Sequence, residues 1–344
     1  MYCSFDNNYT LYGGFTMAHG IMEHDNMMYN KRETPWHGIG TPVDGLATAT
    51  EAISKANLDW KVDLHPLKVM PTVANNFEQE FESHRAVVRT DVNEILGVVG
   101  SRYEPLQNED AFGFFDPLVE RNEAIYETAG SIYNGKRIWL LAKLPDTFSV
   151  GKSEDVIEKY VLLTNSHDGS KPVVVKITPV RVVCNNTLSF ALKKGSGSDE
   201  VSIRHTTNIH ANLAEAHRVL EITDNTYSVL NEAYDAMYQK QLKEDDIFEY
   251  VKSVLGHKHT DNEELSTRTI NTMESIERLL NEGAGHELFR GNEGNVWQVY
   301  NSITEYVDHE KSYRKNTDTM DAKIYGSGAQ VKQRAFKEAL SLVS

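Results

Sequence analysis

VIEKYVLLTNSHDGSKPVVVKITPVRVVCNNTLSFAL, residues 156 to 192, alternates apolar runs with polar punctuation. It reads as a strand, a polar turn at Asn165-Ser166-His167-Asp168-Gly169-Ser170, a Val-rich strand, and a Pro-started segment ending in Cys184-Asn185-Asn186-Thr187. Two strands joined by so short a turn form an antiparallel hairpin. Residues 169–198 carry five basic side chains and no acidic one, within a chain of formal net charge −15. A locally basic hairpin on an acidic protein points to an anion, with a nucleic-acid backbone first in line.

Upstream, Asn134-Gly135 between Ile125–Ile132 and Arg137–Leu144 is a strong hairpin signal. Strands are also expected at 60–70, 77–89 and 94–99, and a short helix at Thr48–Asn57. Asn108–Arg121 has helical spacing that Pro117 kinks or ends early. Glu33 to Val43 is dense in Pro and Gly around Trp36, which reads as the anchor of an irregular loop. Residues 1–16 lack periodicity and read as a leader or upstream extension, with Met17 as a start.

Downstream of Ile209 the period changes. Leu213, Leu220, Tyr227 and Tyr234 fall seven apart, with Ala216, Thr223, Leu230 and Met237 as the second seam position. This predicts a helix of about 30 residues, which either pairs with a second subunit or packs along the sheet and other helices. Helices follow at 244–255, 265–281, 295–309 and 329–343. Residues 311–337 hold seven basic against two acidic residues. The expected fold is α+β, an antiparallel hairpin-rich sheet with packed helices followed by a helical region, divided into 17–208 and 209–344.

No run of about 18 apolar residues exists, so no membrane span is expected. Cys3 and Cys184, the only cysteines, are too few and too far apart for a disulfide scaffold, and the expected compartment is a reducing cytoplasm. The pI of about 5.3 argues against coating nucleic acid over the whole surface and permits a confined basic groove. No phosphate-binding loop and no serine-nucleophile motif occurs, so no cofactor is expected and an enzyme is not the first reading. His205 and His210 are wrongly spaced for metal ligands, and His257 and His259 sit in a polar loop; no metal is expected.

Thr164 to Ser170, Thr178 to Leu188, Glu33 to Gly40, Tyr300 to His309 and Gly328 to Lys332 together resemble the uncharacterised phage/plasmid-like protein family, domain of unknown function 932. That resemblance spans roughly residues 17–343 and implies a mobile genetic element in the cytoplasm of a bacterial host. The order strand–turn–strand–helix at 156–192 is also similar, more remotely, to the single-strand annealing superfamily. Members of that superfamily form rings and hold single-stranded DNA in a basic groove.

The first expectation is therefore single-stranded nucleic-acid binding, with strand annealing in recombination or replication of a phage or plasmid as its extension, by a homo-oligomer. Lys171, Lys176, Arg181, Lys193, Lys194 and Arg204 would contact phosphates. Asn165, His167, Asn185 and Asn186 would be polar positioning groups, although Asn185 and Asn186 serve equally to cap a following helix. One alternative is an interaction protein that inhibits a host defence factor through an acidic surface. Another is a nucleotide-directed enzyme using His167 and Asp168.

Overall fold

A computed structural model describes residues 25–31, 40–43, 47–73, 77–181, 186–187, 200–215, 217–257, 265–313, 322–323 and 326–344. The Trp36 loop and the leader lie outside the described residues.

The strands form two sheets. The larger contains β1 (Met27–Asn30), β2 (Thr41–Val43), β6 (Ile125–Ile132), β7 (Arg137–Ser149), β8 (Val156–Ser166), β9 (Val173–Arg181), β10 (Asn186–Thr187) and β11 (Glu200–Ile203). Its order is β10-β9-β8-β7-β6-β1-β2, with β11 also on β9, and every pairing except β1 with β2 is antiparallel. The smaller is a meander of β3 (Val62–Val69), β4 (Gln79–Arg89) and β5 (Glu94–Gly100). The hairpin expected at 156–178 is present, with Leu163 opposite Val175.

The Asn134-Gly135 turn takes the left-handed backbone that its sequence favours, with φ of +59° and +91°. Asp25 holds it, its carboxylate accepting the backbone N–H groups of Asn134 (2.7 Å) and Gly135 (2.8 Å).

α1 (Ala49–Lys55) starts in a capping box made by Thr48 and Glu51. The helix expected over 108–121 is two short ones, α2 (Asn108–Gly113) and α3 (Asp116–Glu120). Pro117 lies in the first turn of α3, where no intrahelical partner awaits its missing N–H. Beyond the sheet come α4 (Ile209–Glu215), α5 (His217–Gln239), α6 (Glu244–Val254), α7 (Thr267–Glu282), a 3₁₀ turn at His286–Phe289, α8 (Val296–Glu305), a π-helical turn at Tyr306–Glu310, and α9 (Ser327–Val343).

The odd-numbered side chains of β8 and β9 carry two apolar layers side by side. Val161, Leu163, Val173 and Val175 pack with Trp60, Leu106 and Phe112 of the N-terminal elements. Ile157 and Ile177 pack with α5, α8 and α9 through Tyr227, Tyr234, Trp297 and Phe336. Leu144 and Val201 touch both layers, so the core is continuous along the sheet. At its described positions Tyr227, Leu230, Tyr234 and Met237 the heptad stripe of α5 is buried inside the chain. No helix among the described residues is long and apolar enough to cross a membrane.

Candidate functional site

The turn after β8 is built from its own side chains. Asp168 Oδ1 accepts from the Ser166 hydroxyl (2.5 Å) and the Ser170 N–H (2.9 Å), while Gly169 supplies a φ of +73°. Burial pushes the Asp168 carboxyl up, but the hydrogen bonds from Ser166 and Ser170 and the charge of Arg137 outweigh it and hold the group below its ordinary value. The turn lies directly on β5: a Cβ on Gly97 would stand 2.7 Å from Asp168 Cα. One on Gly169 would stand 2.6 Å from Val99 Cγ1.

The side chains around this turn reach inward to the segment joining β5 to α2. Asn165 Nδ2 donates to Leu106 O (3.0 Å). Asn108 Nδ2 donates to Leu58 O and Trp60 O, which leaves its Oδ1 to accept from His167 Nε2 at 2.9 Å. That contact fixes the proton of a neutral His167 on Nε2. Trp60 meets the ring edge-on at 5.3 Å, and Arg89 lies over Trp60 at 4.3 Å. Burial, with smaller contributions from His205 and Arg89, lowers the His167 pKa to about 3.

Tyr103 stacks on His205 at 4.6 Å and donates from its hydroxyl to Ser166 O (3.1 Å). His205 Nδ1 lies 3.1 Å from Glu104 O and so carries the proton there; burial lowers its pKa too. The TNSHDGS motif is thus a latch that clamps residues 103–108 between the two sheets.

The side chains of two expected positioning residues are turned inward. Asn165 is 2 % exposed and His167 fully closed off, so neither stands where a ligand on the hairpin surface could be positioned. His167 and Asp168 also face different partners, Asn108 within and Ser166 and Ser170 along the turn.

Of the basic residues expected to contact phosphates, the structure describes the side chains of Lys171, Lys176 and Arg204. Lys171 is half-buried just past the turn, and Lys176 stands opposite Glu200 of β11, where a cross-strand opposite charge offsets it. Arg204 is exposed beyond β11. Arg181 and Asn186 pair through their backbones at the end of β9. Lys193, Lys194 and Asn185 lie outside the described residues.

A denser arrangement occurs in the helical region. Asp308 of the π-helical turn and Lys332 of α9 form a buried ion pair at 2.8 Å. Near it lie three cations: Arg268 in the first turn of α7, half-buried Lys311 just past the π-helical turn, and Arg334 of α9, whose Nε donates to Val254 O at the end of α6 (2.9 Å). Burial lowers the Lys311 ammonium, and Arg268 and Arg334 lower it further. None of the three has a carboxylate partner among the described residues. Neighbouring carboxylates are engaged: Glu310 with Arg278, Glu249 with Lys252 (3.7 Å), and Asp308 with Lys332. Sequence reading registers the basic density of 311–337 but not Arg268, which α7 brings in from far upstream.

A family described as domain of unknown function (DUF932) matches residues 95–326. The chain belongs to this family. The matched span, about two thirds of the 344 residues, is narrower than the 17–343 that the motifs mark out. It takes in the latch, Arg268 and Lys311, and stops short of Lys332 and Arg334. No curated protein and no solved structure matches the chain. Among the described residues, no group of three or more His, Cys, Asp or Glu could hold a metal ion.

Proposed function

We propose that this DUF932 member is a binding protein for single-stranded nucleic acid and that its principal phosphate contact is the Arg268–Lys311–Arg334 cluster. The carrying observation is three crowded cations, without carboxylate partners among the described residues, on a chain of net charge −15. Lys311 feels the positive charge of Arg268 and Arg334, and a phosphate backbone bound there would offset it. The acidic remainder confines binding to one place. Annealing of complementary strands for a phage or plasmid, by a homo-oligomer in a bacterial cytoplasm, is the extension of this reading.

The test is fluorescence anisotropy with labelled single- and double-stranded oligonucleotides across a salt series. The wild type should bind single strands in a salt-sensitive manner. Arg268→Ala/Lys311→Ala/Arg334→Ala should reduce the slope of log affinity against log salt by about two, since single strands release about 0.7 counterion per phosphate contact. Lys171→Ala/Lys176→Ala/Arg204→Ala reports the hairpin separately. Binding that survives the first triple variant with its slope intact would move the site away from the helical cluster. No binding at low salt would overturn the function.

A further inference from the structure

The helical region contains an open groove that the nucleic-acid reading does not use. α6 packs on α9 and α7 packs on α8, and between α6 and α7 lies a groove of about 680 Å³. Ile247, Phe248 and Val251 line one wall at helical spacing; Met273, Ile276 and Leu280 line the other. Phe248 is 48 % exposed, and Ile270, one turn before Met273, is 42 % exposed. Ile247 and Met273 are half-buried, so both helices present apolar surface toward solvent, with Ile270 just beyond the groove lining.

The rim is acidic. Glu244 and Glu277 lie on opposite walls and neither has an ion-pair partner among the described residues. Glu293 adds a third carboxylate, against Arg290 as the one guanidinium of the lining. An anionic lipid surface or a nucleic acid would be repelled here, whereas a cationic partner with an apolar stripe matches both features.

We propose that the α6–α7 groove docks an amphipathic helix of a partner protein, with apolar anchors at i, i+3, i+4 and i+7 flanked by Lys and Arg. The eleven residues of α6 extend about 16 Å, so the docked segment is about three turns long. The anchors displace water from exposed Phe248 and from half-buried Ile247 and Met273, over a floor of buried Val251 and Ile276, while the flanking cations meet Glu244 and Glu277.

The test titrates the whole chain against three labelled 18-residue peptides: a Leu/Lys amphipathic helix, a scrambled peptide of the same composition, and a Leu/Glu amphipathic helix. The Leu/Lys helix should bind at least about tenfold tighter than the scramble, and the Leu/Glu helix more weakly than either. Phe248→Ser, at a half-exposed position that leaves the core intact, should erase the preference for the helix over its scramble. Glu244→Gln/Glu277→Gln should flatten the salt dependence of Leu/Lys helix binding. Equal affinity for helix and scramble would reduce the effect to net charge and overturn the proposal, as would binding unaffected by Phe248→Ser. A dimer of the chain that the Leu/Lys helix dissociates would identify a second copy as the occupant and overturn the assignment to another protein.

Discussion

His167 couples the fold to pH through a single ring. Folded, it takes its proton near pH 3; unfolded, near 6.5. Between those values the unfolded chain binds the extra proton, so this stability is complete above about pH 6.5 and is lost as pH falls toward 3. From pH 7 to pH 5 the loss from this ring alone is about 2 kcal/mol, and His205, shifted in the same direction, adds to it. Urea midpoints at the two pH values measure the loss, and His167→Gln, with no titrating ring, should shrink the difference. An unchanged difference in the variant would assign the pH dependence to other groups. Much of this turn is legible in sequence, because Asp168-Gly169 can do little else between two apolar strands. Which neighbours turn inward is not legible, since Leu106 and Asn108, the partners of Asn165 and His167, come from some 60 residues upstream.

Among the elements, α5 shows how far periodicity carries and where it stops. The heptad spacing places Tyr227, Leu230, Tyr234 and Met237 on one face, and the structure buries that face. What covers it depends on an irregularity elsewhere. The register of β7 on β8 shifts between Lys143 and Thr147, and there the Tyr227 hydroxyl accepts from Tyr160 N–H (2.9 Å) and donates to Tyr160 O (3.0 Å). One side chain thus completes a strand where its neighbour bulges away, an arrangement that no repeat in the α5 sequence encodes. Tyr227→Phe leaves two buried backbone groups without this partner and should lower stability by about 1–3 kcal/mol in chemical denaturation. A loss within experimental error would mean that the neighbouring strand closes the gap. Pro117 carries a related lesson: its position marks a helix boundary correctly, but as the start of α3 rather than the end of a longer helix.

Across the whole molecule, the alternation of strands and the change of period near Ile209 make the α+β class and the helical C-terminal region legible. The relation between the parts is not, because it depends on odd-numbered residues of β8 and β9 serving two layers at once. Ile157 and Ile177 belong to the helical layer, Val161 and Val175 to the N-terminal one, and Trp297 Nε1 reaches back to Asp155 just before β8 at 2.8 Å. Layers fastened to the same strands should unfold together. Far-ultraviolet circular dichroism and tryptophan fluorescence should therefore give one coincident denaturation curve, and two separated midpoints would show that the layers are independent. The margins of the larger sheet have a different consequence. On one side β9 is already occupied by the two-residue β10 and the four-residue β11; on the other the sheet stops at β2, three residues with Pro42 at the centre. Among the described residues, neither margin offers an incoming chain a long row of free amides and carbonyls. Strand addition at these described margins is therefore expected to be weak, and contacts made there with another macromolecule are expected through side chains.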